Sequence, residues 1–440
     1  MVIVSILIMD IFFGIIDSII RVIELFWWLI LPFFVFFLFW NLRMIYIRTR
    51  YVKSIEWSMF EIKVPKEILK TPKAMEQVFS SLIGTYSFGF KPVEIYVDGK
   101  VELWLSLEMV GHSAGVRFYV YAPSKFRNLI ESAIYAQYPD AEIHESEDYT
   151  ELLSSVLPNK VYDLWGTDFI LAKENYYPIK TYSFFEETQE EKRLDPIAAI
   201  SEVMSNLNED EMLWLQFLIS PTGEPSGNDW QKEGLEKIEE IAGRTAGKAK
   251  EGFGSVLYDW LRNLFWAPVE HPIWPETEEK APAVLRFLHP AEQEVVKAIS
   301  NKISKFGFET IIRFVYIDKR DSFTMANVSA VMGAFNQFRT MNLNAFKPDK
   351  RTMTLKSGWL AKFFPKYKQL FEFSRKRRLF EAYRTRRFGK YNKARPEKFS
   401  ILNTEELATI YHFPAIMVEA PRLRKLEAKK GGPPAGLPIE

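Results

Sequence analysis

The sequence predicts an α+β protein tethered by an N-terminal transmembrane helix. Three observations carry this reading. Residues 25–42, LFWWLILPFFVFFLFWNL, hold no charge between Glu24 and Arg43. From Ile55 onward, segments with strand alternation interleave with segments of helical period. A basic, aromatic-rich helical segment follows at 356–400, ahead of a C-terminal tail at 401–440.

The apolar run comes first. At about 1.5 Å per residue, a helix over 25–42 matches a hydrocarbon core of about 30 Å. Arg43, Arg48, Arg50 and Lys53 follow it, with no acid before Glu56. Basic residues stay on the cytoplasmic side, so the run reads as an inner-membrane anchor with the bulk of the chain cytoplasmic. A cleaved signal peptide fits poorly, because no basic n-region precedes the run and no small-residue cleavage site closes it. Residues 2–23 are apolar but carry Asp10, Asp17 and Arg21 at spacings of seven and four, on one helical stripe. Two readings stay open: an interfacial helix, or a second span with its polar stripe against a partner. The anchor region is therefore 1–53, single-pass or two-pass.

The first soluble domain is expected at 54–150. Residues 55–64 alternate like a strand, and Thr71-Pro72 opens a helix. Residues 92–97 and 101–110 flank Asp98-Gly99, a hairpin signal. Strand 116–121, a helix from Ser124 to Tyr138 and a short strand at 141–144 follow. The order is β-α-β-β-α-β with one extra hairpin strand, the split βαβ or ferredoxin-like plan.

The second domain, 151–355, looks similar but interrupted. Residues 161–185 supply strands, Asp195-Pro196 opens a helix, and 211–220 form a buried strand. A helix starts near Asn228, 290–306 are helical, 308–318 form a strand, and 321–338 are helical. The insertion at 244–288 carries a helical face with Trp260, Leu261, Leu264, Phe265 and Trp266. That face either packs on its own domain or touches the bilayer or a partner.

The basic segment carries Arg375, Lys376, Arg377, Arg378, Arg384, Arg386 and Arg387, interleaved with Phe371, Phe373, Phe380, Tyr383 and Phe388. One reading is a solvated connecting helix. The others are an anion contact, with lipid headgroups or with nucleic-acid phosphate.

Composition limits the chemistry. The chain has 440 residues, Lys+Arg 57 against Asp+Glu 56, and no cysteine. The near-zero charge gives no global field toward nucleic acid. Without cysteine there are no disulfides, thiolate metal sites or thiol nucleophiles. Gly111-His112-Ser113-Ala114-Gly115 matches G-x-S-x-G, but it falls between two strands rather than on a strand-to-helix turn. Gly243 to Ala249 resembles a phosphate loop, yet is one residue short and has Ala249 at the magnesium-binding position. His112, His144, His271, His289 and His412 include no pair three to five apart. The expectation is no catalytic site, no metal and no cofactor.

Two C-terminal stretches carry a resemblance. One is Val331-Met-Gly-Ala-Phe-Asn-Gln-Phe-Arg339 continuing to Pro348. The other is Leu402-Asn-Thr-Glu-Glu-Leu-Ala-Thr-Ile-Tyr-His-Phe-Pro414, followed by Val418-Glu-Ala-Pro421 and Ala428 to Pro438. With the amino-terminal span, they resemble the region before the motor in membrane-anchored type IV secretion and conjugative-transfer ATPases of the HerA/FtsK class. The resemblance implies an anchor-and-scaffold half without its P-loop engine, in a split or truncated form or beside a separate motor ATPase. It also implies DNA or protein cargo, with nucleic-acid contact and a homo-oligomer as open expectations. The rival reading is a membrane-tethered scaffold at the inner leaflet, unrelated to secretion.

Overall fold

The computed structural model describes residues 2–65, 68, 70–87, 89–185, 195–223, 230–242, 289–355, 365–389 and 399–414. The insertion at 244–288, with Trp260, Leu261, Leu264, Phe265 and Trp266, lies outside the described residues. So do the phosphate-loop-like segment from Gly243 and the last stretches of the resemblance, beyond Pro414. The fold is α+β, with one N-terminal apolar helix and an antiparallel sheet. The chain divides into two compact units. One comprises Met1–Glu56, Gly89–Glu102 and Gly389–Glu397, and the other comprises the remainder.

The first unit is built on α1, Val2–Lys53, a single helix with Pro32 inside it. The expected division between 2–23 and 25–42 does not occur. Glu24 interrupts the apolar run without interrupting the helix, because a lone exposed Glu is a good helix former. Asp17 and Arg21 pair at 2.8 Å on its surface. The strand expected at 92–97 is a wide helical turn, Glu94–Asp98, closed by Gly99 at φ +72°. Asp98-Gly99 therefore caps a helical turn rather than making a hairpin. A Cβ on Gly99 would come within 2.6 Å of the Ile47 backbone, so only glycine permits this approach to α1.

The second unit is organised by a nine-stranded sheet. Its first half runs β1 (Trp57–Lys63), α2 (Pro72–Leu82), β2 (Leu105–His112), β3 (Gly115–Pro123), α3 (Arg127–Gln137) and β4 (Glu142–Glu145). Its second half runs β5 (Tyr162–Leu171), α4 (Ala198–Ser205), β6 (Met212–Pro221), α5 (Trp230–Ile241), α6 (Pro290–Ile303), β7 (Gly307–Lys319), α7 (Ala326–Phe335) and β8 (Phe346–Pro348). Of the expected strands in 161–185, only β5 forms. The strand order is β4-β1-β3-β2-β6-β7-β5-β8, with β9 (Ser400–Asn403) also on β7. Counted from its own first strand, each half has the order 4-1-3-2. The halves expected as separate domains at 54–150 and 151–355 join edge to edge, because β2 pairs with β6 from Leu105↔Ile219 to Gly111↔Leu213. That pairing removes two exposed edges at once.

The strands alternate strictly. Leu105, Leu107 and Met109 of β2 share a core face with Leu213, Leu215 and Phe217 of β6 and with Ile312, Phe314 and Tyr316 of β7. Residues of α2, α3, α4, α7 and α9 (Thr404–Ile410) belong to the same core. The opposite face carries Val110, Leu164, Trp214, Val315 and Ile317, packed with Leu379, Phe380 and Tyr383 of α8 (Pro365–Arg384). Gly166 makes room for α8, since a Cβ there would lie 2.5 Å from Leu379.

The segment expected to be a C-terminal tail from 401 begins inside the fold. Ser400–Asn403 pairs with β7, and Asn403 caps α9 in a capping box with Glu406. Tyr411 then meets Phe79, Phe118 and Phe217, ring to ring. Phe413 meets Phe118 and Tyr138. This stretch ties α2 and α3 of the first half to β7 of the second.

Candidate functional site

In the anchor, every side chain from Leu31 to Trp40 is exposed. Phe33 is 74 % exposed, and Phe34, Phe36, Phe37 and Phe39 are all well exposed. A ring of bare phenylalanines on consecutive turns has no core face, so it suits hydrocarbon rather than a protein interior. Leu31–Lys53 is long and apolar enough to cross a membrane. The polar sequel starts at once, with Arg43 donating to the Tyr96 carbonyl at 2.8 Å and lying over the Trp40 ring.

The basic strip of α8 and its sequel does not form one surface. Arg375 donates to the carbonyls of Lys350, Arg351 and Met353. Lys376 pairs with Asp163 at 2.7 Å, and Arg384 donates to the Ser155 carbonyl. Arg386 is buried. Arg377, Arg378 and Arg387 are exposed. Four of the seven basic residues named from sequence thus hold α8 and its C-terminal turn to the body, and three face solvent.

Beneath α8 lies a polar row that sequence reasoning did not single out. Glu108, Gln216, Arg313 and Asp168 stand opposite one another on β2, β6, β7 and β5. Gln216 donates to Glu108 at 2.9 Å, and Arg313 donates to Gln216 at 3.1 Å and to Asp168 at 3.0 Å. Arg386 closes the row, donating to Glu108 and to Asp148. The Tyr149 hydroxyl donates to Glu108 at 2.7 Å and bonds the Tyr383 hydroxyl. Burial opposes the Arg386 charge, but Glu108 and Asp148 outweigh it and hold its pKa well above the ordinary value. Burial first, then the Glu108 charge, raises both tyrosines far above the usual phenol range. No tyrosine here is poised as a base. The row is closed and internally satisfied, which suits fixing α8 rather than meeting a substrate.

A cavity of about 640 Å³ opens beside α6. It is lined by Val295, Lys297, Ala298 and Asn301 of α6, by Ile179, Thr181, Ser183 and Phe184, and by Thr340, Asn342 and Leu343. Its floor is ionic, since Lys305 bridges Glu76 and Glu405 at 2.7 and 2.8 Å. Lys302 and Glu406 pair at 2.9 Å with no side-chain exposure. The size suits a small molecule or a peptide side chain. The mixed lining offers amide and hydroxyl groups, with Lys302, Lys305 and Glu405 committed to ion pairs and Glu294 and Lys297 exposed at the cavity.

The sequence-flagged chemistry falls elsewhere. Gly111 to Gly115 closes the β2–β3 hairpin, with Gly115 at φ +110° and His112 Nδ1 accepting from the Ala114 amide. Ser113 therefore sits in a tight turn, not on a nucleophile elbow. Among the described residues, no three histidine or carboxylate side chains are grouped to hold a metal.

A comparison with curated proteins returns no match. One family model does match, over residues 54–425, from just beyond α1 through α9 and past it. The chain belongs to that family, described as a domain of unknown function, DUF8128.

Proposed function

We propose that this protein is a membrane-tethered scaffold, single-pass at the inner membrane, with its α+β body in the cytoplasm. It works by binding rather than by catalysis. The observation that carries this reading is the exposed apolar surface of Leu31 to Trp40, within a stretch of α1 long and apolar enough to cross a membrane. The basic residues after the span favour the cytoplasmic side. We read the two halves of the sheet as ferredoxin-like units joined through β2 and β6, the 4-1-3-2 order in each half supporting this.

The finer reading is a part in a type IV secretion or conjugation-like translocation machine, docking a separate P-loop motor ATPase. Its support is the sequence resemblance at 331–348 and 402–438. Within the second stretch, Leu402 to Phe413 are committed to the core. Among the described residues, a docking surface is therefore sought at the cavity beside α6 or at the exposed arginines of α8, and the C-terminal stretch beyond Pro414 keeps its expected partner-binding role.

Affinity purification of the full chain from detergent-solubilised membranes tests both levels. Recovery from the membrane fraction after a high-salt wash, and protection from protease added to intact cells, are expected. A soluble protein, or cleavage of the body by external protease, would overturn the scaffold reading. Co-purification of a P-loop ATPase is expected of the finer reading, and its consistent absence sinks that reading alone.

A further inference from the structure

The turn from Pro92 to Gly99 has the form of an interfacial wedge. It belongs to the same compact unit as α1 and packs along it. Gly99 lies against the Ile47 backbone, and the Tyr96 ring lies 6.1 Å from that of Trp40. Trp40 precedes Ile47 by seven residues, or about 10 Å of helix. The turn therefore runs back along α1 toward the apolar span rather than away from it.

Its outer surface is apolar. Val93 is 64 % exposed, Val97 57 % and Tyr96 47 %. These three lie beside the exposed apolar surface of α1, which runs through Trp40 and Leu42 and on to Ile45 and Tyr46. Of the polar groups in and beside the turn, Lys91 and Asp98 are exposed at its two ends, while Glu94 is matched. Glu94 accepts from Lys100 at 2.6 Å and from the Lys91 amide at 2.8 Å. Arg43 spends one arm on the Tyr96 carbonyl while lying over Trp40. Tryptophan, tyrosine and a snorkelling arginine at one level are the composition of a membrane–water boundary.

We propose that residues 92–97 insert Val93, Tyr96 and Val97 into the headgroup–acyl boundary of the bilayer that α1 crosses. The wedge would fix the depth and tilt of α1, since a helix this long could otherwise slide or lean. The inference rests on α1 being the span. Val93, Tyr96 and Val97 are exposed among the described residues, and the exposed apolar surface of α1 near Trp40 is continuous with them.

The chain has no cysteine, so single cysteines can be placed without further change. V93C, V97C, F34C and T49C variants of the full chain, labelled with an environment-sensitive fluorophore, are reconstituted in lipid nanodiscs. Nitroxide-labelled lipids with the quencher at the headgroup or deep in the chain report depth. Phe34, well inside the span, is expected to be quenched most by the deep label and Thr49 by neither. Val93 and Val97 are expected to be quenched most by the shallow label, with blue-shifted emission. If Phe34 escapes quenching, the span is wrong and the wedge falls with it. If Phe34 is quenched but Val93 and Val97 respond no more than Thr49, the span stands and the wedge is overturned. Blue-shifted emission at Val93 and Val97 without lipid quenching would mean that protein covers them, which also overturns it. The two valines are read independently, so one poorly folded variant leaves the test intact.

Discussion

Arg386 reaches Glu108, Nε to Oε1 at 3.1 Å, from a left-handed backbone position at φ +43°. The position is the turn-out of α8. The Arg386 amide donates to the Tyr383 carbonyl and the Arg387 amide to the Ala382 carbonyl. These two bonds make the Schellman closure, where glycine is the usual occupant. An arginine there accepts a backbone cost of about 1–2 kcal/mol, and its side chain is the reason. It neutralises Glu108, which is fully buried in the middle of β2.

The first prediction separates these two contributions. Arg386→Ala leaves Glu108 buried without its cation and should destabilise the protein by about 3–5 kcal/mol. Arg386→Gly loses the same ion pairs but relieves the left-handed strain. It should be milder than the alanine variant by about 1 kcal/mol. Denaturant titration of the full chain in detergent reads the difference. Equal losses would mean that the backbone conformation carries no strain.

The second prediction concerns acid. Asp148 is half-buried, which alone would raise its pKa, but Arg386 and the bonds from Thr150 hold it below the ordinary carboxylate value. The folded state therefore binds the proton less readily than the unfolded chain. The stabilisation is complete above the unfolded pKa of about 3.9 and is lost as pH falls through the lower folded value. Asp148→Asn keeps an acceptor for Thr150 but cannot ionise. Its stability should depend less steeply on pH between about 5 and 2 than that of the parent. Parallel pH slopes would remove Asp148 from the acid response.

The strands were legible in two ways: the segment of β1 alternates, whereas β6 and β7, buried on both faces, read as near-continuous apolar runs. The same strands also carried an unused signal. Glu108 in LSLEMVG, Gln216 in LWLQFLI and Arg313 in IIRFVYI are single charged or amide residues inside largely apolar strands. A charge so placed is paired or costly, so a shared row could have been suspected. Register alone decides that they meet, and register is set by β2–β6 pairing across more than a hundred residues. The basic strip misled for the opposite reason. Composition records that Arg375, Lys376, Arg384 and Arg386 are cationic. It does not record that Asp163, Glu108, Asp148 and loop carbonyls, all distant in sequence, face them. The Asp98-Gly99 signal was real as a left-handed glycine, but its neighbour α1 turned the preceding residues into a helix.

The third prediction tests the C-terminal stitch. Tyr411 is buried against Phe79, Phe118 and Phe217, which come from α2, β3 and β6. Tyr411→Ala should cost about 3–5 kcal/mol, the range for emptying an aromatic core position. Tyr411→Phe should be nearly neutral or mildly stabilising, because the buried hydroxyl makes no hydrogen bond among the described residues. Melting temperatures of both variants decide it. A tolerated alanine would return residues from 401 onward to the status of a detachable tail.

The last prediction concerns the part of the basic strip that still faces out. Arg377 and Arg378 are exposed on α8, with Arg377 lying over the Phe373 ring. Lys376, between Arg375 and Arg377 in sequence, instead pairs with Asp163. Two kinds of variant should therefore behave differently. Replacing Arg377 and Arg378 with glutamine should change stability by less than about 0.5 kcal/mol, as for ordinary surface positions. It should also weaken binding to anionic vesicles or to single-stranded DNA, whichever the wild type prefers, with the wild-type binding falling steeply as salt rises. Lys376→Gln should lower stability and leave anion binding nearly unchanged, since its charge is spent on Asp163. The comparison of vesicles with DNA assigns the strip to membrane or to cargo. If the Arg377/Arg378 variant binds both ligands as the parent does, the outward arginines only keep α8 solvated, and anion recognition must be sought away from this helix.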